Sequence, residues 1–339
     1  MIPSPRRSRW RLPWSTATGR KRAGLSVFVA ASVVVAAGGT LALRALDRRA
    51  TSGSVLIAVR DIACGPRDEV TVRTCRHEAT SDPLLSGPST SGRAIWTGSE
   101  HAADPEIPAM GVSWVHTSAY RRLLRALPDG VLSIAWLGGY DNEECHFREN
   151  RDWVTERVKS LRRHPKLAAW FIDDEPHGAE ECPRVRRQLR ARIRLVKSLD
   201  PRHPTMLSEN RLEAFDDLDN LADIFVVIRY PCSHDSGCDL SKIDESAAAA
   251  KAAGIRSFWA APQVFANDYY AMPAASELQE ILDRWASNDA AGYMPYIWDG
   301  STGENDYLLN HPELQEVLRA WFDQQSEFPD ALPAPDAYG

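Results

Sequence analysis

The stretch His164-Pro165-Lys166-Leu167-Ala168-Ala169-Trp170-Phe171-Ile172-Asp173-Asp174-Glu175-Pro176-His177 decides how this chain is read. An apolar run of strand length, residues 167–172, leads straight into three consecutive carboxylates and a proline. Like charges crowded at the end of a rigid strand raise one another's pKa. One carboxyl can then stay protonated near neutral pH and act as a general acid. The same composition also suits a solvated acidic turn or a helix N-terminus, where Asp and Glu are favoured. Composition alone leaves both readings open.

Outward from this stretch, short apolar or β-branched runs alternate with segments of helical period. The runs are residues 110–116, 131–137, 167–172, 204–207, 224–230, 255–261 and 292–298. Between them, Leu278, Ile281, Leu282 and Trp285 fall at i, i+3, i+4 and i+7, and Leu314, Val317, Leu318 and Trp321 repeat the spacing. Val185, Leu189, Val196 and Leu199 line another helix, which Pro183 can start and Asp200-Pro201 stops. Strands alternating with helices imply a parallel sheet covered on its faces. The fold expected is α/β, a (β/α)8 TIM barrel over residues 110–325. Its first strand lies in residues 44–109, at 55–60 or 93–97, with no clear helix leading on to Met110. An open doubly wound sheet is the alternative, but no Gly-rich phosphate fingerprint follows any strand. In a barrel the C-terminal strand ends form the active face, and the acids of 173–175 sit at such an end.

Here the chain resembles a known family. The 164–177 stretch is similar to the fourth-strand motif of the (β/α)8 retaining glycoside hydrolases of clan A, in a variant reading Asp-Glu-Pro rather than Asn-Glu-Pro. Met110-Gly111-Val112-Ser113-Trp114 resembles their second strand, and Ser198-Leu199-Asp200-Pro201-Arg202-His203-Pro204-Thr205 their approach to strand five. Ile228-Arg229-Tyr230-Pro231 resembles strand six, and Tyr296-Ile297-Trp298-Asp299 strand eight with its sugar-platform Trp. The resemblance implies that Glu175 is the acid/base glutamate. It puts Asp174 in the place of the asparagine that holds the sugar 2-hydroxyl.

One position departs from that pattern. The family's nucleophile is a Glu ending strand seven, and here the best-placed residue is Gln263, an amide that cannot form a glycosyl ester. Either another carboxylate completes the site, from Glu209, Asp299, Asp141 or Glu144, or the barrel binds glycan without cleaving it. An inverting pair needs carboxyls ~6.5–9.5 Å apart and a retaining pair ~5–5.5 Å. Among the aromatics in or just beyond strands, Trp114, Tyr140, Tyr230 and Trp298 are candidates to stack on pyranose faces, whereas Trp136 and Trp259 read as core. His116, ending its run, is a candidate hydroxyl partner, although a lone His is more often structural.

The N-terminus reads as an address. Residues 23–43 carry no charge, with seven Lys/Arg before them and Arg44, Arg48 and Arg49 after. About 20 apolar residues span a bilayer as a helix, and the more basic side stays cytoplasmic. The expectation is a cytoplasmic tail (1–22), a transmembrane signal anchor (23–43) and an extracytoplasmic body, ending in a tail at 326–339. A cleaved signal peptide, leaving a secreted body, is the alternative. The cysteines agree with export. Proximity pairs Cys64 with Cys75 and Cys232 with Cys238, leaving Cys145 with Cys182, and no CxxC suggests a zinc or redox site.

The chain's net charge of −6 hides an asymmetry, because residues 50–339 hold 30 basic and 45 acidic side chains. So acidic a body repels phosphate backbones, which argues against nucleic acid as a partner, while a carbohydrate partner is what the family resemblance implies. The Arg-rich segment 184–197 then reads as the solvated face of a barrel helix. No cofactor or metal is expected, since adjacent carboxylates on a strand point to opposite faces and converge poorly on an ion.

Overall fold

The computed structural model describes residues 92–255 and 257–325. The barrel strands are β1 (Gly92–Ile95), β2 (Trp114–Ser118), β3 (Leu132–Trp136), β4 (Leu167–Asp174), β5 (Thr205–Glu209), β6 (Ile224–Ile228), β7 (Trp259–Ala261) and β8 (Gly292–Tyr293). They close in the order β1-β8-β7-β6-β5-β4-β3-β2, every neighbouring pair parallel. Of the two candidate first strands, 93–97 overlaps β1. Segment 55–60, the apolar run 23–43, Cys64 and Cys75 lie outside the described residues. Among the described residues no helix is long and apolar enough to cross a membrane.

The helices differ in weight. A single turn, α1 (Glu106–Ala109), joins β1 to β2, too short to leave a periodic signal in the sequence. Also short are α2 (Arg121–Ala126), α4 (Gly178–Glu181) and α6 (Phe215–Leu218). The long outer helices are α3 (Arg151–Leu161), α5 (Val185–Leu199), α7 (Ser241–Ala252), α8 (Ala275–Ser287) and α9 (Pro312–Gln325). On α3 the side chain of Asn150 accepts the Trp153 amide at 2.9 Å, which caps its first turn. The apolar stripes read in the sequence face inward: Leu278, Ile281, Leu282 and Trp285 on α8 are buried, as are Val185, Leu189 and Val196 on α5. Arg192 departs from the solvated face expected of 184–197. It is buried, donates to the carbonyls of Leu137 (3.2 Å) and Glu149 (2.6 Å), and lies 3.8 Å from the Phe147 ring centroid. Asp200, which ends α5, is buried and accepts Trp170 Nε1 at 2.9 Å from the outer face of β4.

Two apolar layers result. One lies between strands and helices, and the other fills the barrel interior with Trp114, Ile134, Phe171, Met206, Trp259 and Met294. The Trp259 ring lies against Gly92 and Gly292, where an added Cβ would stand 1.9 and 2.5 Å from ring atoms. Only glycine lets two strands approach an indole this closely. Gly92→Ala is therefore expected to cost about 1–3 kcal/mol, with a Tm lower by several degrees. Trp259→Leu in that background should recover part of the loss. Calorimetry showing no change for Gly92→Ala would contradict this packing.

Candidate active site

Strand β4 sorts its acids by an irregularity in its pairing. Phe171 pairs with Met206, but Asp173 pairs with Leu207 and Asp174 with Ser208, so the register slips between Phe171 and Asp173. Phe171 and Met206 belong to the barrel interior, whereas Ile172 and Leu207 belong to the outer layer. The slip therefore turns Asp173 outward and Asp174 inward. Asp173 is fully buried behind the strand, and its Oδ1 accepts the Tyr140 amide at 2.7 Å. Inside the barrel, Ser208 donates its hydroxyl to Asp174 Oδ1 at 2.5 Å. Burial pushes Asp174 up to about 6.

Glu175 follows with left-handed backbone (φ 53°), and His177 adopts the same region (φ 60°). Such conformations cost a non-glycine residue roughly 1–2 kcal/mol and persist only when their surroundings hold them. Three contacts do so here. The Glu175 amide donates to Ser208 O at 3.0 Å, Asn142 Nδ2 donates to Glu175 O at 2.9 Å, and the His177 amide donates to Glu209 Oε2 at 2.8 Å. The kink keeps Glu175 at the mouth with Asp174, where extended backbone would send it to the opposite face. Burial, reinforced by Asp174 and Glu209, holds the Glu175 carboxyl well above the usual range, while Arg211 and a 2.7 Å hydrogen bond from Asn210 Nδ2 oppose this.

Glu209 ends β5 fully buried, and its oxygens accept three backbone amides, from His177, Asn210 (2.8 Å) and Arg211 (2.9 Å). Burial pushes it up to about 7 against the pull of those amides. It pins the loops after β4 and β5 together, with three of its roughly four acceptor sites taken by backbone amides.

The other sequence candidates lie elsewhere. Gln263 is buried and bound on all sides: Oε1 accepts the Cys232 amide, and Nε2 donates to the carbonyls of Cys232 and Ala271. It braces the loops after β6 and β7. Asp299 is buried, with Thr97 Oγ1 and the Gly98 amide both 2.7 Å from Oδ2 and the Ser301 amide 2.8 Å from Oδ1. Asp141 accepts the amides of Glu143 and Glu144 and pairs with Arg148 at 3.4 Å, and Glu144 is exposed on the same loop beside His146. Tyr140 sends its hydroxyl to Gln188 on α5. Trp114 begins β2, at the N-terminal end of the barrel, and packs on Trp259 with centroids 5.3 Å apart. Trp298 is fully buried in the outer layer with Nε1 on Asp104, so it offers no face to a sugar.

The aromatic cluster around Tyr230 adds Tyr296, from the strand-eight motif, and Phe265 and Tyr270, which no motif singles out. Tyr230 meets Phe265, Tyr270 and Tyr296 at centroid distances of 4.8, 5.3 and 5.8 Å. Its hydroxyl is pushed well up by burial and by Tyr296, Glu175 and Asp174, which puts both acids in its surroundings. Tyr296 donates to Glu304 Oε1 at 2.8 Å. His116 stacks on Trp96 at 4.8 Å, and burial holds it neutral at about 4. A cleft of roughly 420 Å³ is lined by Asn210, whose side chain donates to Glu175, and by Arg211, Tyr230, Lys242, Tyr269 and Tyr270.

Two disulfides frame the site. Cys145–Cys182 (Cα–Cα 5.3 Å) joins the loop after β3 to the end of α4, and Cys232–Cys238 closes a hairpin after β6.

The acids make stability depend on pH. Asp174 binds its proton more tightly in the folded chain than in the unfolded one. Its contribution is complete below about pH 4 and is lost as pH rises through about 6. Relative to wild type, Asp174→Asn should gain on the order of 1–2 kcal/mol between pH 4 and 8, allowing for the partly open position. Urea titrations at both pH values giving the same difference would contradict this.

No known family model and no curated protein sequence matches the chain. Its fold does have relatives among solved structures. The β-galactosidase of Marinomonas ef1 superposes with a TM-score of 0.53 at 9% identity, over 68% of this chain and 59% of that one. A GH2 β-galacturonidase from Eisenbergiella tayi, bound to galacturonate, gives 0.51 at 15%, over 70% and 52%. The endo-1,4-β-D-mannanase of Thermotoga petrophila RKU-1 gives 0.50 at 12%, over 69% and 99%. The chain thus spans little more than half the length of the first two. These neighbours are glycosidases, and at such identities they establish the shared barrel.

Proposed function

We propose that this protein is a glycoside hydrolase acting on a polysaccharide or glycoconjugate, with Glu175 as its general acid/base. The observation that carries the reading is Glu175 itself. It is a carboxyl at the C-terminal end of β4, held in left-handed backbone by its neighbours, with its pKa raised well above the usual range by burial and then by Asp174 and Glu209. Tyr230 and Asn210, both lining the cleft, stand in its surroundings. The barrel shared with glycosidases supports the same class. We also propose that residues 23–43 anchor the chain in the membrane with the barrel outside the cytoplasm. The disulfides Cys145–Cys182 and Cys232–Cys238 support an oxidising compartment.

A second reading, a barrel that binds glycan without cleaving it, is favoured by the structural use of Gln263. Incubating the detergent-solubilised full chain with a panel of polysaccharides separates the two. Release of reducing ends that stops in Glu175→Gln supports hydrolysis. Glycan retained without release supports binding. Protease accessibility of the barrel in intact cells tests the orientation.

A further inference from the structure

We propose that the substrate carries a 2-acetamido group trans to the scissile bond, as in β-linked gluco- or galacto-configured N-acetylhexosamines. In this scheme the group's own carbonyl oxygen is the nucleophile, Asp174 holds its N–H, and Glu175 protonates the leaving oxygen. The inference rests on the hydrolase reading above.

A protein nucleophile or base needs a carboxylate facing the acid across the sugar, ~5–5.5 or ~6.5–9.5 Å away, unless the substrate supplies the nucleophile itself. Among the described residues, the other carboxylates near the mouth are held by protein groups. Glu209 accepts three amides, and Asp299 accepts Thr97, Gly98 and Ser301. Glu304 accepts the hydroxyls of Tyr296 and Thr302 on one oxygen, while its other oxygen is covered by the fold. Strand β7 offers only Gln263, locked to backbone. That leaves Asp174, which adjoins the acid in sequence and so lies on the acid's side of the bond. A nucleophile must come from the opposite side.

Asp174 is nevertheless aimed into the mouth by the slip in β4 and brought together with Glu175 by the left-handed turn. Ser208 fixes Oδ1, which leaves Oδ2 to accept a donor from the substrate. An acetamido N–H beside the anomeric carbon is such a donor.

The step balances. The carbonyl oxygen bonds to C1 as the C1–O glycosidic bond breaks, and the Glu175 proton goes to the leaving oxygen. The positive charge of the resulting oxazolinium spreads to the N–H held by Asp174. Glu175, now a carboxylate, takes a proton from water as the water oxygen attacks C1. The ring bond to C1 breaks and the acetamido group is restored. The environments of the two acids differ: burial raises Asp174 to about 6, with Ser208 donating to it, while burial, Asp174 and Glu209 together hold Glu175 well above the usual range.

The test uses the full chain and Asp174→Asn. Substrates are 4-nitrophenyl 2-acetamido-2-deoxy-β-glycosides of gluco and galacto configuration, their 2-hydroxy counterparts, and N-trifluoroacetyl analogues. The acetamido series should turn over at least about 100-fold faster than the hydroxy series, a preference of the size a lost catalytic group gives. Trifluoroacetyl substitution, which weakens the carbonyl nucleophile, should slow it about tenfold or more. Asp174→Asn should cut acetamido turnover about 100-fold. It should also weaken binding of a thiazoline analogue of the intermediate about tenfold or more. Equal turnover of both series, with a 2-deoxy-2-fluoro glycoside trapped as an ester on a carboxylate, would overturn this inference and leave hydrolysis standing. No turnover of any glycoside or polysaccharide, with no binding of the thiazoline, would overturn both.

Discussion

Glu175→Gln is expected to lower kcat/KM on unactivated glycans by about 10²–10⁴-fold while leaving glycan binding nearly unchanged. The substitution keeps the volume and leaves an oxygen for the 2.7 Å hydrogen bond from Asn210, so the mouth should keep its shape. What disappears is the proton. Glu175 holds that proton because burial, Asp174 and Glu209 all disfavour its charge, and a glutamine has none to give. The loss should depend on the leaving group. An alkoxide leaving from a glycan needs protonation, whereas a nitrophenolate does not, so aryl glycosides should lose less than about tenfold. The comparison is kcat/KM for wild type and variant on both substrate types. Equal losses below about tenfold would remove Glu175 from the acid role.

The fold was legible where period and length were strong. The apolar runs near 110–116, 131–137, 167–172, 204–207 and 224–230 each overlap a barrel strand, and the stripe of α8 is buried as read. The boundaries moved because apolar sequence marks burial rather than pairing. Among the described residues of run 255–261 the ladder takes in Trp259–Ala261, and in run 292–298 it takes in Gly292 and Tyr293 with an isolated bridge at Tyr296, although Ile255, Phe258, Met294 and Ile297 are buried too. At the site, the acids of β4 were visible as composition, but their division was not. It depends on a register slip and on positive φ at Glu175, and neither has a period or a composition. Trp298 and Trp114 looked like sugar platforms because a tryptophan near a strand end reads the same whether it faces the mouth or the outer layer. Gln263, Asp299 and Glu209 bind backbone of distant loops, a use that no local pattern reveals. Asn210 was the recoverable omission. It follows a strand ending in Glu209, at the barrel end where side chains reach the acid.

Removing the Cys145–Cys182 bridge should harm both stability and activity, and for connected reasons. The bridge closes a loop of 37 residues that contains α3 and all of β4. Chain-entropy arguments give about 4 kcal/mol for a loop of that length, or a Tm lower by about 8–15 °C. Cys232–Cys238 spans only 6 residues, and its removal should cost about 2 kcal/mol. The functional effect follows from Asn142. It sits in the loop that the longer bridge holds down, and it donates to the Glu175 carbonyl at 2.9 Å. Without that restraint the left-handed turn at Glu175 loses one of its supports, and the acid is free to relax toward extended backbone. In the Cys145→Ala/Cys182→Ala double variant, kcat should fall even well below the new Tm. Cys232→Ala/Cys238→Ala should be harmed less on both measures. Melting curves and rates for the two double variants decide the matter. A larger loss of stability from the six-residue hairpin, or full activity without the longer bridge, would break the link between this disulfide and the position of Glu175.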